Sequence, residues 1–210
     1  MARAAITGLA LGAACVASTL AGEVTDKAAR KAAALGKLAQ QNVAASPASL
    51  RKAATDGDAV LVRTLLDAGL DPNAYSSVVP RSVLGLVVSG CGEKSANPPA
   101  NRDAVVAVLL EGGANPNFME LGRLPLLAAA AEACPRPVIE ALVKAGAKLD
   151  LASPRGLTAL PVALTRNNLD AAEALVDLGA RLTPGQRAAL FPEAPTDPRM
   201  LSSAPAEKSK

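Results

Sequence analysis

Cys15, Cys91, Cys134 and the carboxylates Asp56, Asp58, Asp67 and Asp71 are the residues from which a reactive site would have to be built. The three cysteines lack the close pairing of a metal site. Histidine is absent from all 210 residues, which removes the commonest general base and a common metal ligand. No Ser–His or Cys–His pair can form. The stretch "SGCG" around Gly90 is too short to cradle a phosphate, and no Lys-Ser pair follows it. The four aspartates fall where helix caps and turns are expected, not at acid–base spacing. The residues therefore predict no catalytic, cofactor or metal site, and binding is the class that is left.

The elements that must carry such a binding role announce themselves by repetition. "LLDAGLDPN" (Leu65–Asn73) returns as "LLEGGANPN" (Leu109–Asn117), then more loosely as "LVKAGAKLD" (Leu142–Asp150) and "LVDLGARLT" (Leu175–Thr183). Their glycines, Gly69, Gly113, Gly146 and Gly179, are spaced by 44, 33 and 33 residues. A period of that size is the mark of stacked supersecondary units. In the first unit Val60, Val62, Leu65 and Leu66 recur at helical spacing, and Gly69 is placed to close the helix in a left-handed cap. "LRKAA" predicts a shorter helix before it, and Asp58 is a natural N-cap for the second. Each unit thus reads as helix, turn, helix and an extended finger. Half of the residues are apolar, yet there are only one Tyr, two Phe and no Trp, so alanine and leucine must form the core.

This pattern resembles the ankyrin repeat, with a period near 33 and a signature T-P-L-H-x-A. The counterparts are "SVLGLVV" (Ser82–Val88), "LPLLAAA" (Leu124–Ala130) and "TALPVAL" (Thr158–Leu164). Leu84, Leu126 and Leu160 keep the leucine of the signature, while Gly85, Leu127 and Pro161 replace its histidine. The resemblance implies an all-α ankyrin-repeat solenoid with β-hairpin-like fingers and four repeats: 48–80, 81–122, 123–155 and 156–183. A tetratricopeptide array is the rival reading, and the proline-bearing segments after the glycines argue against it. The 44-residue spacing is explained by an insertion around "CGEKSANPPANR" (Cys91–Arg102) between a first helix at Val83–Ser89 and a second at Asp103–Glu111. That insertion is either part of a binding face or a tolerated loop. Residues 22–47 are expected to form an N-terminal helix and joint, 184–191 a C-terminal cap, and 192–210 a disordered tail.

Arg3 is followed by "AAITGLALGAACVASTLAG" before the next charge at Glu23. This matches a secretory signal over residues 1–21, cleaved after Ala21. The alternatives are a buried N-terminal helix, a single membrane anchor, or a lipoprotein modified at Cys15, although Gly12 stands where that motif usually has leucine. Export places the chain in the periplasm, with no membrane span after processing. On the repeat reading Cys91 and Cys134 both lie just past a first helix, in adjacent repeats, and an oxidising compartment would join them in a disulfide. The alternative is two free thiols.

The resemblance also implies a concave partner-binding surface formed by fingers and first helices. Tyr75 and Phe118 follow the repeated asparagines, and Arg81, Arg123 and Arg155 lie near the finger tips. Aromatics make good anchors, and arginines suit an acidic partner. The plainer readings are packing under a neighbouring finger and ordinary solvation. With 22 basic and 19 acidic residues, the net charge of +3 is too mild to argue for nucleic acid. The expected partner is another protein: either a toxic secreted effector, held by this chain as an immunity protein, or an envelope enzyme that it supports as a scaffold or accessory factor.

Overall fold

The computed structural model describes residues 26–74, 81–92, 101–120 and 124–192. These residues are helical apart from turns, loops and one two-stranded ribbon. They form two compact units. The first takes residues 26–74, 81–87 and 101–114, and the second takes 88–92, 115–120 and 124–192. The expected signal segment, Tyr75, Arg123, positions 93–100 of the insertion and the tail after Pro192 lie outside the described residues.

In the first unit α1 (26–40) is alanine-rich and buries Ala34 and Leu38, one turn apart on one face. Ser46 caps α2 (Pro47–Asp56) by accepting from the Ser49 amide, and Pro47 occupies the first turn, where its missing N–H costs nothing. Gly57, at φ +81°, ends α2. Asp58 then starts α3 (Ala59–Asp67), its Oδ1 accepting from the Leu61 amide at 2.9 Å. α3 packs on α2 and on α5 (Arg102–Glu111) through Leu50, Val62, Leu65, Val105 and Leu109, all fully buried. The short α4 (Val83–Ser89) opens in this unit, where buried Ser82 accepts from the Gly85 amide. Its last two residues belong to the second unit.

The second unit continues with a 3-10 turn at Gly90–Gly92 and a ribbon of β1 (Met119–Glu120) and β2 (Leu124–Pro125), paired antiparallel with Met119 opposite Pro125. Then follow α6 (Leu126–Ala133), α7 (Arg136–Lys144), α8 (Ala159–Thr165), α9 (Leu169–Asp177) and α10 (Pro184–Leu190). The most extensive helix contact is between α6 and α8. Ala128, Ala130 and Ala131 of α6 and Ala159 and Ala163 of α8 are at most 1 % exposed. Alanine favours the helix and keeps the side-chain layer thin. Asn168 caps α9, and its Nδ2 donates to the carbonyls of Ala131 at 3.2 Å and Cys134 at 3.0 Å, fixing the end of α6 to the start of α9. Cys134, buried at the C-terminus of α6, is joined by a disulfide to Cys91 in the 3-10 turn, with the alpha carbons 4.9 Å apart.

The repeated glycines have one job. Gly69, Gly113, Gly146 and Gly179 have φ of +96°, +90°, +94° and +97°. In each case the next amide turns back to a carbonyl five residues earlier: Leu70 to Leu65, Ala114 to Leu109, Ala147 to Leu142, Ala180 to Leu175. This is the Schellman closure of a helix, and it satisfies carbonyls that the helix end would leave open.

Space is open where a Cβ at Gly146 would stand, so Gly146→Ala is predicted to lose about 1–3 kcal/mol from backbone strain alone. Gly36, inside α1 with equally open space, is predicted to gain about 0.5–1 kcal/mol on replacement by Ala. Urea unfolding of the two variants checks the opposite signs. Replacing Cys91 and Cys134 together by Ala is predicted to lose about 2–4 kcal/mol. Dithiothreitol should lower the stability of the parent by a like amount and leave the double variant unmoved.

Candidate functional site

The loops after the glycines are built by short polar contacts. Asp71 Oδ1 accepts from the Asn73 amide at 2.8 Å, and Asn115 Oδ1 accepts from the Asn117 amide at 2.9 Å. These are Asx turns, which hold the second asparagine in a fixed pose. That asparagine then reaches the next glycine. Within the first unit Asn73 Nδ2 donates to the Gly113 carbonyl at 2.9 Å. Within the second, Asn117 Nδ2 donates to the Gly146 carbonyl, and Asn117 Oδ1 accepts from the Lys148 amide, both at 2.9 Å. The base of one loop is thereby stitched to the base of the next.

Farther along these two loops of the second unit the surface becomes apolar and cationic. Phe118 is half-buried, and its carbonyl accepts from the Leu126 amide at 2.9 Å, which leads the ribbon into α6. Met119 is 38 % exposed. In the loop before α8, buried Ser153 makes a tight turn. Its carbonyl accepts from the Gly156 amide, its amide donates to the Leu157 carbonyl, and its hydroxyl accepts from the Arg155 and Leu157 amides. That turn presents Arg155 to solvent beside Leu157, which is 40 % exposed.

Of the residues expected to meet a partner, Arg155 is thus exposed at a rigid turn. Phe118 lies on the neighbouring loop. Arg81, in the first unit, is half-buried. Tyr75 and Arg123 lie outside the described residues. Sequence reasoning missed the stitching role of Asn73 and Asn117. Its signal was present, because both asparagines lie four residues after a repeated glycine and two after Asp71 or Asn115.

Three of the four aspartates named above are engaged locally. Asp56 pairs with Lys52 at 2.6 Å, while Asp58 and Asp71 hold backbone amides. Other ion pairs join neighbouring helices: Arg63 with Glu111 in the first unit, and Arg166 with Glu132 in the second. Arg136 bridges Asp177 on α9 and Glu140 on its own helix, both at 2.6 Å. The hydrogen bond to Asp177, then that to Glu140, raises its pKa further above the ordinary arginine value. Among the described residues no three His, Cys, Asp or Glu side chains gather as a metal site requires, and no helix is long and apolar enough to cross a membrane.

Asn117→Ala removes two hydrogen bonds at a half-buried site and is predicted to lose about 1–2 kcal/mol in urea unfolding. Arg136→Ala breaks only exposed pairs and should lose less, with the difference vanishing in high salt. No family model matches this chain, and no curated protein does either.

Proposed function

We propose that this chain is an exported ankyrin-repeat protein that binds another protein and carries out no catalysis. The observation that carries the reading is the pair of stitched loops in the second unit. Their bases are fixed by Asn117, and their outer parts expose Met119, Arg155 and Leu157. A surface held rigid before contact loses little entropy on binding. An exposed cation with an exposed apolar side chain in the same turn suits a partner with acidic groups around an apolar centre. The recurring closure at four glycines supports the repeat assignment, and the Cys91–Cys134 bridge is compatible with an oxidising compartment such as the periplasm.

Two biological roles use such a surface. As an immunity protein the chain would occlude a toxic secreted effector. As an accessory factor it would hold an envelope enzyme. Gene deletion separates them: killing that depends on neighbouring sister cells marks the first, and loss of one envelope activity marks the second.

The molecular test is affinity for a protein recovered from periplasm with the oxidised chain. Charge reversal at Arg81, Arg123 and Arg155 together is expected to weaken that complex about tenfold or more. Arg155→Glu alone should reproduce much of the effect. Unchanged affinity in both would show the arginines to be solvated surface and remove the proposed contact.

A further inference from the structure

α9 carries three carboxylates, Asp170, Glu173 and Asp177, and no cation. At spacings of three and four residues they fall on one stripe of the helix, where like charges destabilise it. Arg136 neutralises Asp177. Asp170 sits in the first turn, where the helix N-terminus favours it. Glu173 stands in mid-helix and is exposed, and it has no ion-pair partner among the described residues. Beside this acidic stripe runs an apolar one. Leu169 and Val176, two turns apart, are 58 % and 57 % exposed. With Leu164, Leu182 and Phe191 they line an open groove of about 500 Å³, and the only charged residues on its lining are Glu173 and Asp177. Contiguous apolar surface of this kind marks an interaction site.

The two stripes together select the occupant. An anionic lipid surface would be repelled by the carboxylates. A second copy meeting this face by two-fold symmetry would bring Glu173 towards its own counterpart, which is also repulsive. The chain's own cationic helix, α1, carries Lys27, Lys31 and Lys37, but it buries Leu38 and keeps one large exposed apolar side chain, Leu35. An added strand needs an open sheet edge, and neither β1 nor β2 lines the groove. A helix laid along α9 meets both stripes. Its apolar residues at i and i+7 stand about 10 Å apart, the same interval as Leu169 and Val176. Lysines or arginines on its flank then face the carboxylates. Asn168 holds the start of α9 to the end of α6, so the face is set before contact and loses little entropy on docking.

We propose that the outer face of α9 docks a cationic amphipathic helix of a partner protein. The apolar residues of that helix cover Leu169 and Val176, and its basic residues pair with Glu173 and Asp170. This surface is separate from the loop surface of Arg155 and stands or falls independently of the binding function proposed there.

The probe is a labelled peptide of about four helical turns, with leucine at i, i+3, i+4 and i+7 and lysine on the flanks, titrated with the full oxidised chain by fluorescence anisotropy. Saturable binding is expected. Asp170→Lys with Glu173→Lys should weaken it about tenfold or more and admit a glutamate version of the peptide, which the parent chain should refuse. Leu169→Ser with Val176→Ser should weaken it by as much. All four positions are exposed, so helix content by circular dichroism should hold in both pairs of variants. A scrambled peptide of the same composition separates docking from plain attraction between opposite charges. Equal binding of the scrambled peptide would overturn the proposal, as would no binding or an affinity that neither pair of substitutions moves. A dimer in sedimentation that the same substitutions dissolve would give the face to a second copy. Peptide binding about tenfold tighter in a chain ending at Pro192 would give it to the chain's own end. Either result overturns the proposal.

Discussion

Close approach of helix backbones across alanine is the constraint on which the second unit depends. α6 and α8 are in contact and are lined by the buried Ala128, Ala130, Ala131, Ala159 and Ala163, none of which presents more than a methyl group. A methyl buries little area, so no single contact is strong. The helices must gain stability from many such contacts and from dense packing. A larger side chain at any of these positions would force the pair apart, since interiors packed at crystal density absorb extra volume poorly. The near absence of aromatic residues follows from the same geometry.

Thin layers leave backbone ends near the surface, and polar groups finish what packing begins. The glycine closures satisfy the last carbonyls of α3, α5, α7 and α9. Asn73 and Asn117 then use the next glycine's carbonyl as an acceptor, so one residue type both ends a helix and receives the link from the preceding loop. The stitches make the loops depend on side-chain amides as well. Asn168, tying α9 to the end of α6, extends the same use of amides to the helix ends.

These ties decide which residues the loops present. A loop fixed at its base by Asn117 and closed at its turn by Ser153 offers Arg155 and Leu157 in a set pose. Asp56, Asp58 and Asp71 hold a lysine or backbone amides, as cap and turn positions imply.

The sequence by itself determined the repeating local structure, because its causes are local. A glycine that must adopt positive φ, an aspartate that must cap, and apolar residues at helical spacing act over a few positions. α3, α4 and α5 accordingly lie where the pattern of Val62, Leu84 and Leu109 puts them, with α2 starting earlier because Ser46 and Pro47 form its cap. The candidate site was legible only in part. Arg155 and Phe118 stood out by position, but exposure separates them, and exposure depends on what other segments cover. The repeat positions already pointed to the Cys91–Cys134 pair, which the structure joins; only the tertiary structure decided that Asn117 reaches Gly146 and that Leu169 and Val176 face outward while Ala171 and Leu175 face in. Each of those outcomes turns on distances between residues far apart in the chain, which a period along the sequence does not encode.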